Sequence, residues 1–202
     1  MSDHHDRERP SPDAVRNVEP SATARLRREH RVILQVVDVL DAIVAGPDSG
    51  TWPLDDLDRC VEFFRLFTDA CHHGQEEDVL FPTLEDRPGA GMHELIAIMR
   101  DEHRQGRALV ADMRDALARL RSGSAAGPTL RAAADDYSAL IRAHIQKEDG
   151  GLFDLADHVF DGPARQSLWA ACDVVCRRRF GEYSLSDLEG VAHELGTRYL
   201  RP

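Results

Sequence analysis

Residues 71–82 read CHHGQEEDVLFP, and a weaker copy, AHIQKEDGGLFD, returns at 143–154. In each, a His is followed four residues on by a Glu, and four further on by Leu-Phe. The two sets are His72, Glu76, Leu80, Phe81 and His144, Glu148, Leu152, Phe153. On a helix a spacing of four puts both side chains on one face, one turn apart. One helix can thus offer an imidazole and a carboxylate to the same metal ion. A second echo flanks the first: Glu29-His30-Arg31 reappears as Glu102-His103-Arg104, offset by 73 residues. The intervals between the marked histidines are 42, 31 and 41 residues. The chain reads as two helical hairpins carrying the same ligand set about a pseudo-twofold axis.

Working outward, the periodicity predicts a long helix from an N-cap at Ser21 or Thr23 to about Ala45, stopped by Gly46-Pro47. A second helix runs from about Leu54 to Leu80 or beyond, closed by Pro82 and then Arg87-Pro88-Gly89. A third starts around Gly91 and carries His103, and a fourth spans about 129–158, weakened at Gly150-Gly151 after its ligands. Long helices on short loops favour an all-α, antiparallel up-down-up-down four-helix bundle over residues 21–160. Residues 1–20 are polar and proline-rich and read as a disordered arm holding His4 and His5. Residues 161–202 read as a two-helix extension packed on the bundle, with Ser186 and Glu189 as a capping box.

In that topology His30, His72, His103 and His144 fall at one level, joined by Glu76 and Glu148. Buried carboxylates and imidazoles without partners are costly, and two cations compensate them. With both glutamates bridging, the protein supplies roughly eight of the twelve positions of two octahedra. That leaves a solvent-derived bridge and an exchangeable position, hence chemistry with dioxygen, peroxide, nitric oxide or azide. His73/Glu77 has the same spacing as His72/Glu76, but only the latter keeps Leu80-Phe81 in register with Leu152-Phe153. His73 and Glu77 therefore read as supporting or surface residues, and Glu29 and Glu102 as exposed or hydrogen-bonding neighbours. Tyr137, two turns before His144, can hydrogen-bond a small oxygen ligand, ligate, or fill the core. Gly74 and Gly106 reduce crowding near the open position, or are incidental.

The net charge of −11 argues against general affinity for nucleic acid or an anionic membrane. No apolar run is long enough to span a bilayer, and the N-terminal residues lack a signal-peptide core. Four cysteines without C-x-x-C suit a reducing cytoplasm. Cys172 and Cys176 form either a redox pair or, more simply, two small core residues on one face.

The segments REH (28–30), HHGQEEDVLFP (72–82), DEH (101–103) and HIQKED (144–149) resemble the hemerythrin-like family with HHE cation-binding domains. The resemblance implies a four-helix bundle with a non-haem di-iron centre. It gives His30, His72, Glu76, His103, His144 and Glu148 the ligand positions. The chain departs from the oxygen-carrying hemerythrins by having one clear His on the third helix and His-x-x-x-Glu on the fourth. Relatives with this pattern are associated with peroxide and nitric oxide responses, iron-centre repair and iron or oxygen sensing. The expected partner is a small diatomic or peroxide ligand. Residue chemistry alone admits Mn or Zn beside iron and leaves the oligomeric state open.

Overall fold

The computed structural model describes residues 21–46, 51–87, 92–180 and 182–200, all of them helix or connecting turn. The expected N-terminal arm, with His4 and His5, and the breakers Pro47, Pro88, Gly89 and Gly91 lie outside the described residues. Helix α1 is Ala24–Val44. Helix α2 is a continuous rod over 54–85, α-helical at Leu54–Phe63 and Phe81–Glu85 and π-helical at Phe64–His73 and Glu76–Leu80. Helix α3 is His93–Arg121. Helix α4 covers 127–159, α-helical at Gly127–Lys147, π-helical at Glu148–Leu152 and α-helical again at Phe153–Val159. Helices α5 (Gly162–Arg179) and α6 (Leu185–Tyr199) complete the chain.

Three local readings are corrected. Pro82 does not end α2, because it sits in the first turn of the segment Phe81–Glu85, where a missing N–H costs least. Thr23 precedes α1 but does not cap it with its side chain; its N–H and Oγ1 instead donate to Asp157 at the end of α4, each at 3.0 Å. The capping box of α6 is Ser184 with Asp187, not Ser186 with Glu189.

Helices α1 to α4 enclose two separate apolar cores. One contains Ile33, Val37, Leu40, Leu57, Phe64, Phe67, Met113 and Leu130. The other contains Leu26, Leu80, Phe81, Leu84, Ile96, Met99, Leu152 and Phe153. Between them lies the level of the marked histidines. Ion pairs at the helix ends fix how the rods meet: Arg121, at the end of α3, reaches Asp55 and Asp58 at the start of α2. Arg100, early in α3, reaches Glu85 at the end of α2. Arg27, early in α1, reaches Asp154 late in α4.

Helix α1 is buried on more than one face, with Val39 as inaccessible as Val36, because α6 covers its other side. Gln35 donates to the Ala192 carbonyl there at 3.2 Å. Helix α5 lies over α2, where Gly74 permits the approach: a Cβ there would stand 2.8 Å from Arg179 Nη1 and 3.2 Å from Val175 Cγ1. Gly74 thus serves helix packing rather than space at the metal site. A disulfide joins Cys71 to Cys176 across this contact, and Cys60 and Cys172 are buried and free. The reading that kept Cys176 beside Cys172 and unpaired is therefore overturned. Residues 105 positions apart are bonded, a pairing that helical spacing along α5 does not reveal.

A crosslink closing so long a loop restricts the unfolded chain strongly. Replacing Cys176 with Ser should cost about 2–4 kcal/mol in denaturant unfolding and speed proteolysis between α5 and α6. Reduction of the wild type should reproduce both effects. An unchanged midpoint on full reduction would mean that packing alone secures α5.

Candidate metal centre

Three π-helical segments, two in α2 and one in α4, fall on or beside the ligand-bearing stretches. In an α-helix neighbouring residues are about 100° apart; the wider i→i+5 turn reduces that angle. His72 and His73 both face the interior there, only 1% and 4% exposed.

All six sequence-selected residues meet at one level, and His73 joins them. Two groups, His30/His72/Glu76/Glu148 and His73/Glu76/His103/His144, each bring their ligand atoms within 4.8 Å of one another. Glu76 belongs to both: its Oε1 is 3.4 Å from His72 Nε2 and its Oε2 is 3.4 Å from His103 Nε2. Glu148 Oε2 lies 3.2 Å from His30 Nε2 and 3.3 Å from His144 Nε2. The reading of His73 as a supporting or surface residue is not what the structure shows. Its ring stacks on His103 at 3.8 Å, and neither of its nitrogens has a hydrogen-bond partner.

The remaining four imidazoles are held by carboxylates on Nδ1. Glu29 holds His72 at 3.0 Å, Glu102 holds His144 at 3.0 Å, Glu77 holds His103 at 2.8 Å and Asp149 holds His30 at 2.9 Å. Each of these acids is the chain neighbour of a ligand on one helix and supports a ligand on another. Glu29 is not exposed: it is buried and also accepts from Gln75 and Arg25. Asp149 escaped the sequence reading, although it aligns with Glu77 in the repeat. The repeated Leu-Phe has a purpose too: Phe153 stacks on His30 at 5.2 Å and Phe81 on His103 at 5.8 Å. Arg27 and Arg100, each three residues before one of those histidines, cover the far faces of the two phenylalanines.

Carboxylates on Nδ1 hold the proton of a neutral ring on that side and turn Nε2 inward. His103 Nε2 and His144 Nε2 then face each other at 3.2 Å, two acceptors when both rings are neutral, which a proton or a metal ion between them would satisfy. His30 Nε2, His72 Nε2 and both oxygens of Glu76 and Glu148 are buried without hydrogen bonds. Such orphaned atoms cost about 1–3 kcal/mol each. A nitrogen and carboxylate set of this kind fits divalent or trivalent metal ions.

Without metal, the cluster holds its charge unevenly. Burial and the negative charge of Glu148 and Glu29 push Glu76 well above the usual carboxylate range. Burial acts the same way on Glu148, but His144 and His30 outweigh it and hold that group well below its ordinary value. His30 rises to about 9, since Asp149 and Glu148 overcome its burial. His73, buried among other imidazoles, is pushed well below the ordinary histidine value.

Tyr137 is buried against Phe64 at 4.6 Å, outside both groups. Burial pushes its phenol up, so it stays protonated. It lines a cleft of about 260 Å³ between α2 and α3 that reaches His73, together with Gly106, Arg107 and Val110.

The profile described as hemerythrin HHE cation binding domain matches residues 21–156, which contain all seven clustered residues. No curated protein and no solved structure matches the chain.

The uneven charge separates two conservative changes in metal-free protein. Glu148→Gln leaves charged imidazoles unmatched and should cost roughly 3 kcal/mol in denaturant unfolding. Glu76→Gln replaces a protonated acid with a neutral amide and should cost less, about 1 kcal/mol. Equal losses in the two variants would contradict this charge distribution.

Proposed function

The chain belongs to the hemerythrin HHE cation-binding family, and on that premise we propose that it is a non-haem di-iron protein reacting with a small oxygen or nitrogen species. The clusters can hold metal ions; their number, the choice of iron and the reactivity are our reading. One observation carries it above others: two ligand groups share Glu76, with unpartnered nitrogens and oxygens aimed at two positions. His30, His72, Glu76 and Glu148 would hold one ion, and His73, Glu76, His103 and His144 the other. His73 adds a nitrogen ligand to the six residues chosen from the sequence. The four main rods are read as an antiparallel up-down-up-down bundle, supported by the end-to-end ion pairs of α2 with α3 and α1 with α4.

Iron in such a site supplies a redox couple and an electrophilic position for dioxygen, peroxide or nitric oxide. The protein's own groups do the rest. Glu29, Glu77, Glu102 and Asp149 orient the imidazoles and raise their basicity. Phe81 and Phe153 exclude water from their faces. Tyr137, protonated and lining the cleft, can donate a hydrogen bond to an oxygen-bearing ligand there.

A sensor reading is favoured by one feature, the docking of α5 by the Cys71–Cys176 bridge directly before His72. A cytoplasmic setting, with its thiol pool, would make that bridge reversible. Redox-dependent proteolysis of α5 without turnover would select this reading.

Protein purified from iron-replete cells should contain about two irons per chain and show a visible band that shifts with azide or peroxide. His73→Ala should reduce iron content and alter the azide response. One tightly bound zinc, or a folded chain retaining no metal, would overturn the redox function.

A further inference from the structure

The cleft between α2 and α3 is larger than a diatomic gas or hydrogen peroxide requires. Its volume of about 260 Å³ corresponds to about nine water molecules at liquid density. That approaches the lower end of pockets that hold organic ligands, about 300 Å³. Phe64, Val110 and Ala111 give it an apolar wall, and Gly106 leaves the centre open. A Cβ at Gly106 would meet Tyr137 and Leu140 only at 3.8 and 3.9 Å, so the glycine keeps space clear rather than relieving a clash.

Its polar groups gather at the inner end. His73 is 4% exposed and has neither ring nitrogen partnered. Asp69 Oδ1 lies 3.6 Å from its Nδ1, and Thr68 and Tyr137 line the same cleft. Three guanidinium groups, Arg65, Arg107 and Arg114, line the cleft with the carboxylate of Asp69; Arg65 is also paired with Glu62, outside the lining. Arg107 ties the rim to the cluster, donating to Asp69 at 2.6 Å and to Glu77, the support of His103, at 2.7 Å.

An occupant matching these walls has a compact apolar body, one oxygen-bearing head at His73, and no positive charge. We propose that the cleft is a binding site for small organic hydroperoxides, with the –OOH head toward His73 and Tyr137 and the apolar body along Val110 and Ala111. The choice of a hydroperoxide over other oxygenated molecules rests on the peroxide-reactive function proposed above; the body-binding site rests on the cleft itself.

The test is calorimetric titration of the full-length protein, as isolated and after chelation of its metal. The probe is 2-phenyl-2-propanol, the unreactive alcohol that corresponds to cumene hydroperoxide. Saturable binding is expected in both forms, and cumene hydroperoxide should compete for it. Ala111→Trp, which fills the wall from an exposed position, should weaken binding at least tenfold. Ala132→Trp, in the separate groove between α3 and α4, should leave it unchanged. The cationic analogue 2-phenyl-2-propylamine should bind several-fold more weakly. Absence of saturable binding in both forms, binding undiminished in Ala111→Trp, or a preference for the amine would overturn the proposal. The alcohol has no O–O bond, so its binding survives even if metal analysis refutes the redox function. A cleft that fails to bind it falls whatever the metal content.

Discussion

The structure depends on a layer of five imidazoles and two carboxylates that divides its interior. Above and below, the cores are apolar; within the layer, Glu76 and Glu148 are inaccessible to solvent. Water cannot compensate these groups, and the protein compensates one side of four imidazoles and neither side of His73. Nδ1 of His30, His72, His103 and His144 has a carboxylate, while Nε2 is left with acceptors or with nothing. Such an arrangement is unfavourable for the fold alone and favourable once cations occupy the centre. Stability has been traded for a site.

The repeat of about 72 residues reaches further than the ligands. Arg27, His30 and Phe153 are echoed by Arg100, His103 and Phe81. Glu29 on His72 is echoed by Glu102 on His144, and Glu77 on His103 by Asp149 on His30. Every support crosses from one helix to another, so the helices are locked together by the same groups that orient the imidazoles. Local packing and site geometry are one constraint here. A change to any supporting acid disturbs both.

The symmetry breaks in two places, and both concern α2. His73 aligns with Ile145 in the other half, which gives one side of the centre an additional imidazole and sets it beside the cleft. Helix α5 lies over the same stretch through Gly74, Arg179 and the Cys71–Cys176 bridge, while among the described residues no disulfide-tied helix covers the matching stretch of α4. Asymmetry of ligands and of access therefore coincide. The half of the centre with the added histidine is the half that a ligand entering between α2 and α3 meets first.

Spacing in the sequence determined the all-helical class and the meeting of His30, His72, Glu76, His103, His144 and Glu148. Helical periodicity and the internal repeat suffice for that. It did not determine the inward turn of His73, because the repeat selects His72/Glu76 over His73/Glu77 and only the structure places both adjacent imidazoles inside. Nor did it reveal that Asp149 supports His30 or that Cys71 bonds Cys176, since both pairs join distant parts of the chain. Pro82 continued a helix because the local turn around it had changed. Periodicity records which face of a helix is buried; it carries no information about which neighbour lies against that face. That second fact belongs to tertiary packing, and it decided the supports, the cleft and the bridge.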